Sequence, residues 1–503
     1  MPLGSLWDCK YLKKIYFMQQ FCKKIHYSSY LRVKSDRDMI TFLVCLALLV
    51  TAYFTYGRYL ERQAGADASA EMPCRRLYDG VDYVPLPRWR AFLIQLLNIA
   101  GTGPIFGAVL GACFGPVAFL WITFGGIFMG AMHDYLSGMM LVRNDGLSIP
   151  EVVGRYLGEG MRHFMRIFSV LLLVLVGAVF LLSPAQLLAN MVPAISCPVW
   201  VWLILAYYFV ATLLPIDKII GRIYPLFGVA LVAMALGLLG AVIVGDYRIP
   251  ELTTLHNFQL DPARVPIVPT LFITIACGAI SGFHATQSPL MARCVGNERA
   301  CRSVFYGAMI SESIIALIWA AVAMAFFGGA GELSAALGEH GGSAAWAVDT
   351  ISNGMLGVVA APITSGDTAF RSARLIIADM LHLEQRSKLK RFYICIPLFA
   401  VGYWITQVDF DVVWRYFAWT NQTLATIVLW AIVVFLQRRR SNRWVGLLPA
   451  LFMTFVCSSF LFVSDQFLGM ENRTAAYACG VAVTVAVTAG MLLKLKHDAK
   501  SNS

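Results

Sequence analysis

The sequence predicts an all-α polytopic membrane protein of about thirteen transmembrane helices, with a five-plus-five inverted-repeat core and two broken helices. Three observations lead there. Apolar residues make up 58% of the 503 and charged ones only 14%, whereas soluble domains carry about a quarter charged residues. Too few polar side chains remain to coat a water-facing surface. Apolar runs of roughly 20 residues, the length a helix needs to cross the hydrocarbon core, recur along the whole chain. Lysine and arginine collect in alternate gaps between those runs. The lipid bilayer is the expected partner and main solvent. No nucleic-acid partner, cofactor or resident metal is expected, and no oligomeric state is assigned.

The runs are 39–59, 91–113, 115–142, 167–189, 199–216, 222–245, 265–292, 304–328, 346–364, 392–408, 413–437, 444–465 and 473–494. The gaps after every odd-numbered run are basic, including Arg371 to Arg391 after the ninth, and hold 28 lysines and arginines against four on the other side. Basic loops stay in the cytoplasm, so the C-terminus is expected inside and Met39 outside. Residues 1–38 carry the remaining eight basic residues, which would be costly to export. They lack the apolar core and cleavage site of a signal peptide. They read as a basic extension, either an interfacial amphipathic arm or, preferably, a segment outside the native protein whose translation starts at Met39.

The twelve cysteines mostly stand singly inside apolar runs, with no C-x-x-C pair, and read as buried thiols behaving as small hydrophobes. The histidines are scattered and form no H-E-x-x-H.

Glycine and proline interrupt two runs near mid-membrane, at Asn98-Ile-Ala-Gly-Thr-Gly-Pro104 and at Cys277-Gly-Ala-Ile-Ser-Gly-Phe-His-Ala-Thr-Gln-Ser-Pro289. Four further runs follow each interruption. The plan is an extra helix (39–59), five helices (91–245), five (265–437) and two (444–494). Because five is odd, the two sets point in opposite directions through the membrane. A matched pair of interrupted segments in inverted repeats is the sequence pointer to a transporter's binding site.

Gly103 and Pro104 suit the start of a new helix, since proline at the first helical positions loses no bond it would have made. Free N–H groups and the positive dipole end at Gly101, Thr102 and Gly103, beside Asn98, then face the membrane centre, where a carboxylate could sit. The second interruption adds Ser281, Gly282, His284, Thr286 and Gln287, and Asn421 and Gln422 are expected to line the same cavity. Ionisable residues in a membrane core need a partner or water. Asp134, His284, Glu312 and Asp367 are the candidates for ion coupling. Asp134 lies nine residues before Arg143, His284 nine before Arg293, and Glu312 ten after Arg302. At about 1.5 Å per residue the three sit at similar depth, roughly 13–15 Å from the inner boundary. Histidine titrates near physiological pH, which favours protons over sodium as the coupling ion.

The stretches Asp79-Gly-Val-Asp-Tyr-Val-Pro85, Ile99-Ala-Gly-Thr-Gly-Pro104, Ile275 to Pro289 and Pro362-Ile-Thr-Ser-Gly-Asp-Thr-Ala369 resemble the carbon starvation protein A family. The resemblance covers most of the chain from Met39 onward. It implies bacterial inner-membrane uptake of short peptides or pyruvate under nutrient limitation, and the five-plus-five core of the amino acid–polyamine–organocation superfamily. The chain is shorter than the best-known members and lacks their additional helices.

The expected function is therefore ion-coupled secondary uptake of a small carboxylate-bearing nutrient. No G-x-x-x-x-G-K-[ST] loop is present to make the chain an ATP-driven pump. An intramembrane hydrolase is the weaker alternative, resting on Thr364-Ser-Gly-Asp367 or on Ser281 with His284, three residues apart without an established nucleophile–base geometry. A nutrient sensor would call for a fused signalling domain.

Overall fold

The computed structural model describes residues 39–213, 220–245, 247–355, 360–381, 383, 388–408 and 410–501. Among these the secondary structure is helical, with one isolated bridge between Leu86 and Val295. In chain order the helices are α1 (Ile40–Ala64), α2 (Arg88–Ile99), α3 (Gly103–Ala112), α4 (Val117–Val142), α5 (Ile149–Leu157), α6 (Glu159–Met191), α7 (Cys197–Leu213), α8 (Ile220–Val244), α9 (residues 267–274), α10 (Gly282–Ala292), α11 (Arg302–Phe327), α12 (Ala330–Glu339), α13 (Ala344–Met355), α14 (Ala360–Met380), α15 (Lys388–Ile405), α16 (Phe410–Arg438), α17 (Trp444–Val463) and α18 (Arg473–Ser501).

Among the described residues eight helices are long and apolar enough to cross a membrane, nine when the bent pair α2–α3 counts as one span. About thirteen were expected, and four runs account for the difference. Helix α7 has 17 residues. The 265–292 run is split between α9 and α10. Helix α15 begins on the charged stretch Lys388-Leu-Lys-Arg391. The 346–364 run falls on α13 and α14, and its residues 356–359 lie outside the described ones.

This last difference carries a correction. Arg371 and Arg374, expected in a cytoplasmic loop, lie inside α14 and are only 2% and 1% exposed. Positive charge marks a loop only when it has no partner inside the bundle, and composition cannot distinguish the two cases.

The remaining loops sort onto two faces. On the basic face Arg143 forks onto Glu298, with both bonds at 2.9 Å, and donates to the Ala64 carbonyl at 2.8 Å. Arg88 donates to Ser303 at 2.6 Å, and Ser441 to the Gln63 carbonyl at 2.8 Å. Asp79 accepts from the N–H groups of Val81, Asp82 and Tyr83. Burial pushes the Asp79 carboxyl up, but those bonds and Arg293 outweigh it and hold it below its ordinary value. On the opposite face Thr41, at the start of α1, bonds Glu251, and Arg264 pairs with Asp465.

The core comprises α2, α3, α4, α10, α11 and α16, whereas α1 and α18 present Leu43, Val44, Val485 and Leu493 outward. That is the pattern of a protein solvated by lipid. A reporter fused after Arg438 is expected in the cytoplasm and one fused within 246–264 in the periplasm. Reversal of both in an alkaline phosphatase and green fluorescent protein fusion pair would overturn the orientation.

Candidate functional site

The first interruption lies where the sequence pattern puts it. Helix α2 ends at Ile99, residues 100–102 leave the helix, and α3 begins at Gly103 with Pro104 in its first turn, bent by 51° from α2. The first N–H groups of a helix have no partner within it. Around this end Asn98 and Thr102 are each 1% exposed, and Asn98 Oδ1, Asn98 Nδ2 and Thr102 Oγ1 have no hydrogen-bond partner. Buried polar groups are nearly always bonded. Three orphaned atoms at a helix N-terminus are what a bound polar ligand would satisfy.

The second interruption runs from Ile275 to Ser281, between α9 and α10. Glycine lets neighbouring helices close on it. A side chain at Gly103 would overlap that of Cys277, with its Cβ 2.6 Å from the cysteine Cβ, and one at Gly107 would come 3.0 Å from the Thr274 carbonyl oxygen. Gly103, Gly107 and Gly111 thus form a small-residue stripe along α3 that seats it on the second interruption. Neither Gly101 nor Gly103 has a positive φ, so the need for glycine at 103 is close approach rather than backbone conformation.

Asn421, expected as a substrate contact, is committed to structure. Its Oδ1 accepts from the Phe283 N–H at 2.7 Å and the Ser281 hydroxyl at 3.1 Å, capping α10. Gly282 lets that cap close, since a Cβ there would fall 2.6 Å from the Ala425 nitrogen. Gln422 turns elsewhere and donates to the Phe272 carbonyl at 3.1 Å. Thr286 bonds back to the Phe283 carbonyl at 2.6 Å, and Gln287 accepts from Ser372 of α14 at 3.2 Å.

Asp134, His284 and Glu312 come together from three helices, α4, α10 and α11, all fully buried. His284 Nδ1 lies 2.8 Å from Asp134 Oδ2, and the other Asp134 oxygen lies 2.8 Å from His133 Nδ1. Asp134 as a carboxylate accepts from both rings, which leaves the Nε2 atoms of His133 and His284 able to gain or lose a proton, and of these His284 Nε2 faces Glu312. Nε2 sits 3.3 Å from Glu312 Oε2, close enough for an ion pair but outside hydrogen-bond alignment. Both Glu312 oxygens lack a hydrogen-bond partner. Cys277, His284 and Glu312 offer donor atoms within 4.8 Å of one another, so this cluster is also the described group that could hold a metal ion. The side chain of Asp367 lies outside the described residues.

His133, Cys277, Gln95 and Ser372 were not expected here. His133 stands directly before Asp134, a signal available in the sequence. Gln95, which donates to Ser288 at 3.4 Å, and Ser372 carried none.

Access to the interruptions differs between the faces. A cavity of about 400 Å³ runs from the Arg264–Asp465 face down to Leu110, Thr274 and Trp414. On the basic face the corresponding space beside Thr286, Arg293 and Ser372 is about 10 Å³.

Two interrupted helices meeting at mid-bundle around buried ionisable groups define a transporter architecture. The manganese transporter of Eremococcus coleocola matches it in fold alone, with a TM-score of 0.51 over 85% of this chain and 99% of that one at 12% identity. The family model described as carbon starvation protein CstA matches residues 37–199 and 184–362, and the chain belongs to that family. An uncharacterized membrane protein of Haemophilus influenzae is 42% identical over 340 residues, 58% of this chain and 91% of that one. The peptide transporter CstA of Escherichia coli K12 is 25% identical over 546 residues, 81% and 78% of the two chains. The pyruvate/proton symporter BtsT of the same organism is 25% identical over 54% of this chain and 47% of its own. The protein is a multi-pass membrane transporter.

Gly103→Val is expected to insert in the membrane but to lose transport, because the added methyls must displace Cys277 and overpacking of this kind costs about 1–3 kcal/mol. Normal uptake by a correctly inserted Gly103→Val protein would mean the first interruption is only a kink.

Proposed function

We propose that the protein imports a small carboxylate-bearing nutrient, a short peptide or pyruvate, across the bacterial inner membrane in symport with protons during carbon starvation. The observation that carries this reading is the buried chain His133–Asp134–His284–Glu312, one turn beyond the second interruption. Ionisable groups at that depth are costly and mark proton pathways. Here they join α10, which begins at the second interruption, to α4 and α11 on either side.

At the start of α3 the Gly101 N–H is turned back to the Ile99 carbonyl at 3.0 Å and the Ile105 N–H to the Thr102 carbonyl at 3.1 Å, so the substrate's carboxylate takes the Thr102 and Gly103 N–H groups, and the Asn98 and Thr102 side chains bond its polar remainder. Loading a proton on His284 Nε2 strengthens its attraction to Glu312 and draws α10 towards α11. Passing the proton on releases it. Substrate class and coupling ion follow the names of the relatives, a peptide transporter and a pyruvate/proton symporter.

The series Glu312→Gln, Asp134→Asn and His284→Gln tests the relay in proteoliposomes. Gradient-driven accumulation is expected to fail while exchange of bound substrate persists. Accumulation by all three at the wild-type proton dependence would sink the relay, and sodium held by backbone carbonyls at the interruptions would become the better account.

A further inference from the structure

Cys277 takes no part in the proposed relay, yet it stands with two residues that do. Its Sγ, His284 Nε2 and a Glu312 carboxylate oxygen lie within 4.8 Å of one another, and all three side chains are buried. His284 Nε2 and both Glu312 oxygens have no hydrogen-bond partner. Buried polar atoms are nearly always bonded, and orphaned donors converging on one point are what a cation satisfies.

The donor set selects the ion. A thiolate, an imidazole and a carboxylate suit zinc, whereas calcium and magnesium call for shells of oxygen. Thiolate and carboxylate together carry two negative charges, which cancel those of a divalent ion in an interior where uncompensated charge is costly. The spacing agrees. Nitrogen and oxygen donors about 2.0–2.2 Å from a tetrahedral zinc stand about 3.4 Å apart, and His284 Nε2 stands 3.3 Å from Glu312 Oε2. So do the surroundings. A metal-binding histidine almost always passes its other N–H to a carboxylate, carbonyl or water, which fixes the ring and its tautomer. His284 Nδ1 faces Asp134 Oδ2 at 2.8 Å, which leaves a lone pair on Nε2. Asn421 Nδ2 donates to Cys277 Sγ at 3.7 Å, and the Ser281 hydroxyl lies 3.5 Å from that sulfur.

We infer that Cys277, His284 and Glu312 form a site for a zinc ion. Binding releases the thiol proton, since only the thiolate ligates. Three protein donors leave the fourth tetrahedral position open. Cys277 belongs to the second interruption, His284 to the first turn of α10 and Glu312 to α11, so the ion ties the interruption to α11. The start of α3 is held with them, because Gly103 packs on Cys277. A filled site therefore arrests transport. The arrest rests on the proposed reading that His284 and Glu312 pass a proton; the binding does not.

Cobalt(II) is the probe for the site, because its bond to a thiolate gives a charge-transfer absorption. The purified full-length protein is expected to show that band with one Co²⁺ per chain and to lose it when Zn²⁺ is added. Cys277→Ser is expected to abolish the band, although the rest of the twelve cysteines remain. Asp134→Asn keeps all three ligands and removes the carboxylate behind His284. It should keep the band and weaken Co²⁺ binding about 10- to 100-fold, and it serves if the serine variant does not fold. A wild type without the band, or either folded variant with wild-type Co²⁺ affinity, overturns the site. In proteoliposomes Zn²⁺ is expected to stop wild-type uptake of pyruvate or alanylalanine, and to leave whatever uptake Cys277→Ser retains unaffected. Wild-type uptake that continues at Zn²⁺ concentrations able to displace Co²⁺ overturns the arrest and keeps the site. Accumulation by Glu312→Gln at the wild-type proton dependence would remove the relay and leave the cobalt result standing.

Discussion

Four ionisable side chains sit in the middle of this membrane protein with no exposure to solvent, and the cost of keeping them there shapes what surrounds them. Two imidazoles share one carboxylate at 2.8 Å each, and the second imidazole turns its remaining nitrogen to Glu312. Such a set is tolerable in a low-dielectric interior only when the charges compensate one another. The three helices that supply them, α4, α10 and α11, are therefore tied to one another at this depth. Any change in proton occupancy changes the balance of forces between them. The unbonded Glu312 oxygens show the network incompletely satisfied, which is the condition under which a proton, or another cation, has somewhere to go.

Close packing brings this network to the substrate path. The stripe Gly103, Gly107 and Gly111 lets α3 rest on the second interruption, and Gly126 and Gly130 let α4 approach Ser313 and the Ala279 carbonyl from the other side. Absence of a side chain on the glycine leaves room for a neighbouring side chain or carbonyl in each contact, so the two interruptions and the charged cluster are close neighbours. The roughly 400 Å³ cavity opens on the face of the Arg264–Asp465 pair, and the space beside Thr286 and Ser372 towards the basic face is roughly 10 Å³. A transporter that alternates would need to exchange these two volumes by moving α2 and α10 relative to α4 and α14.

Much of this was legible in the sequence because membrane helices admit few polar residues. The interruptions announce themselves through Gly103-Pro104 and Gly278 to Gly282, where glycine and proline stand against an apolar background. Asp134, His284 and Glu312 could be set at one depth by counting from Arg143, Arg293 and Arg302, since helical rise is fixed. What failed did so for physical reasons. Asn421 is polar and at the right depth, but only geometry reveals that its oxygen caps α10. Gln422, next to it, faces a different helix because adjacent helical residues diverge. Arg371 and Arg374 look like loop residues to any rule that equates positive charge with the cytoplasm, and a buried arginine reads the same as an exposed one. Cys277 looked like an inert thiol, and its importance is that Gly103 packs on it.

The central claim is that a proton passes between His284 Nε2 and Glu312, which face each other at 3.3 Å, as substrate binds, so that the Glu312 carboxyl changes its protonation. Infrared difference spectroscopy of the purified protein, with and without pyruvate or alanylalanine, reads this directly. The account predicts a change in the protonated-carboxyl band on substrate addition that disappears in Glu312→Gln and persists in Asp145→Asn, an exposed carboxylate paired with Arg76. A substrate-induced spectrum with no carboxyl band, or one that survives unchanged in Glu312→Gln, would contradict it.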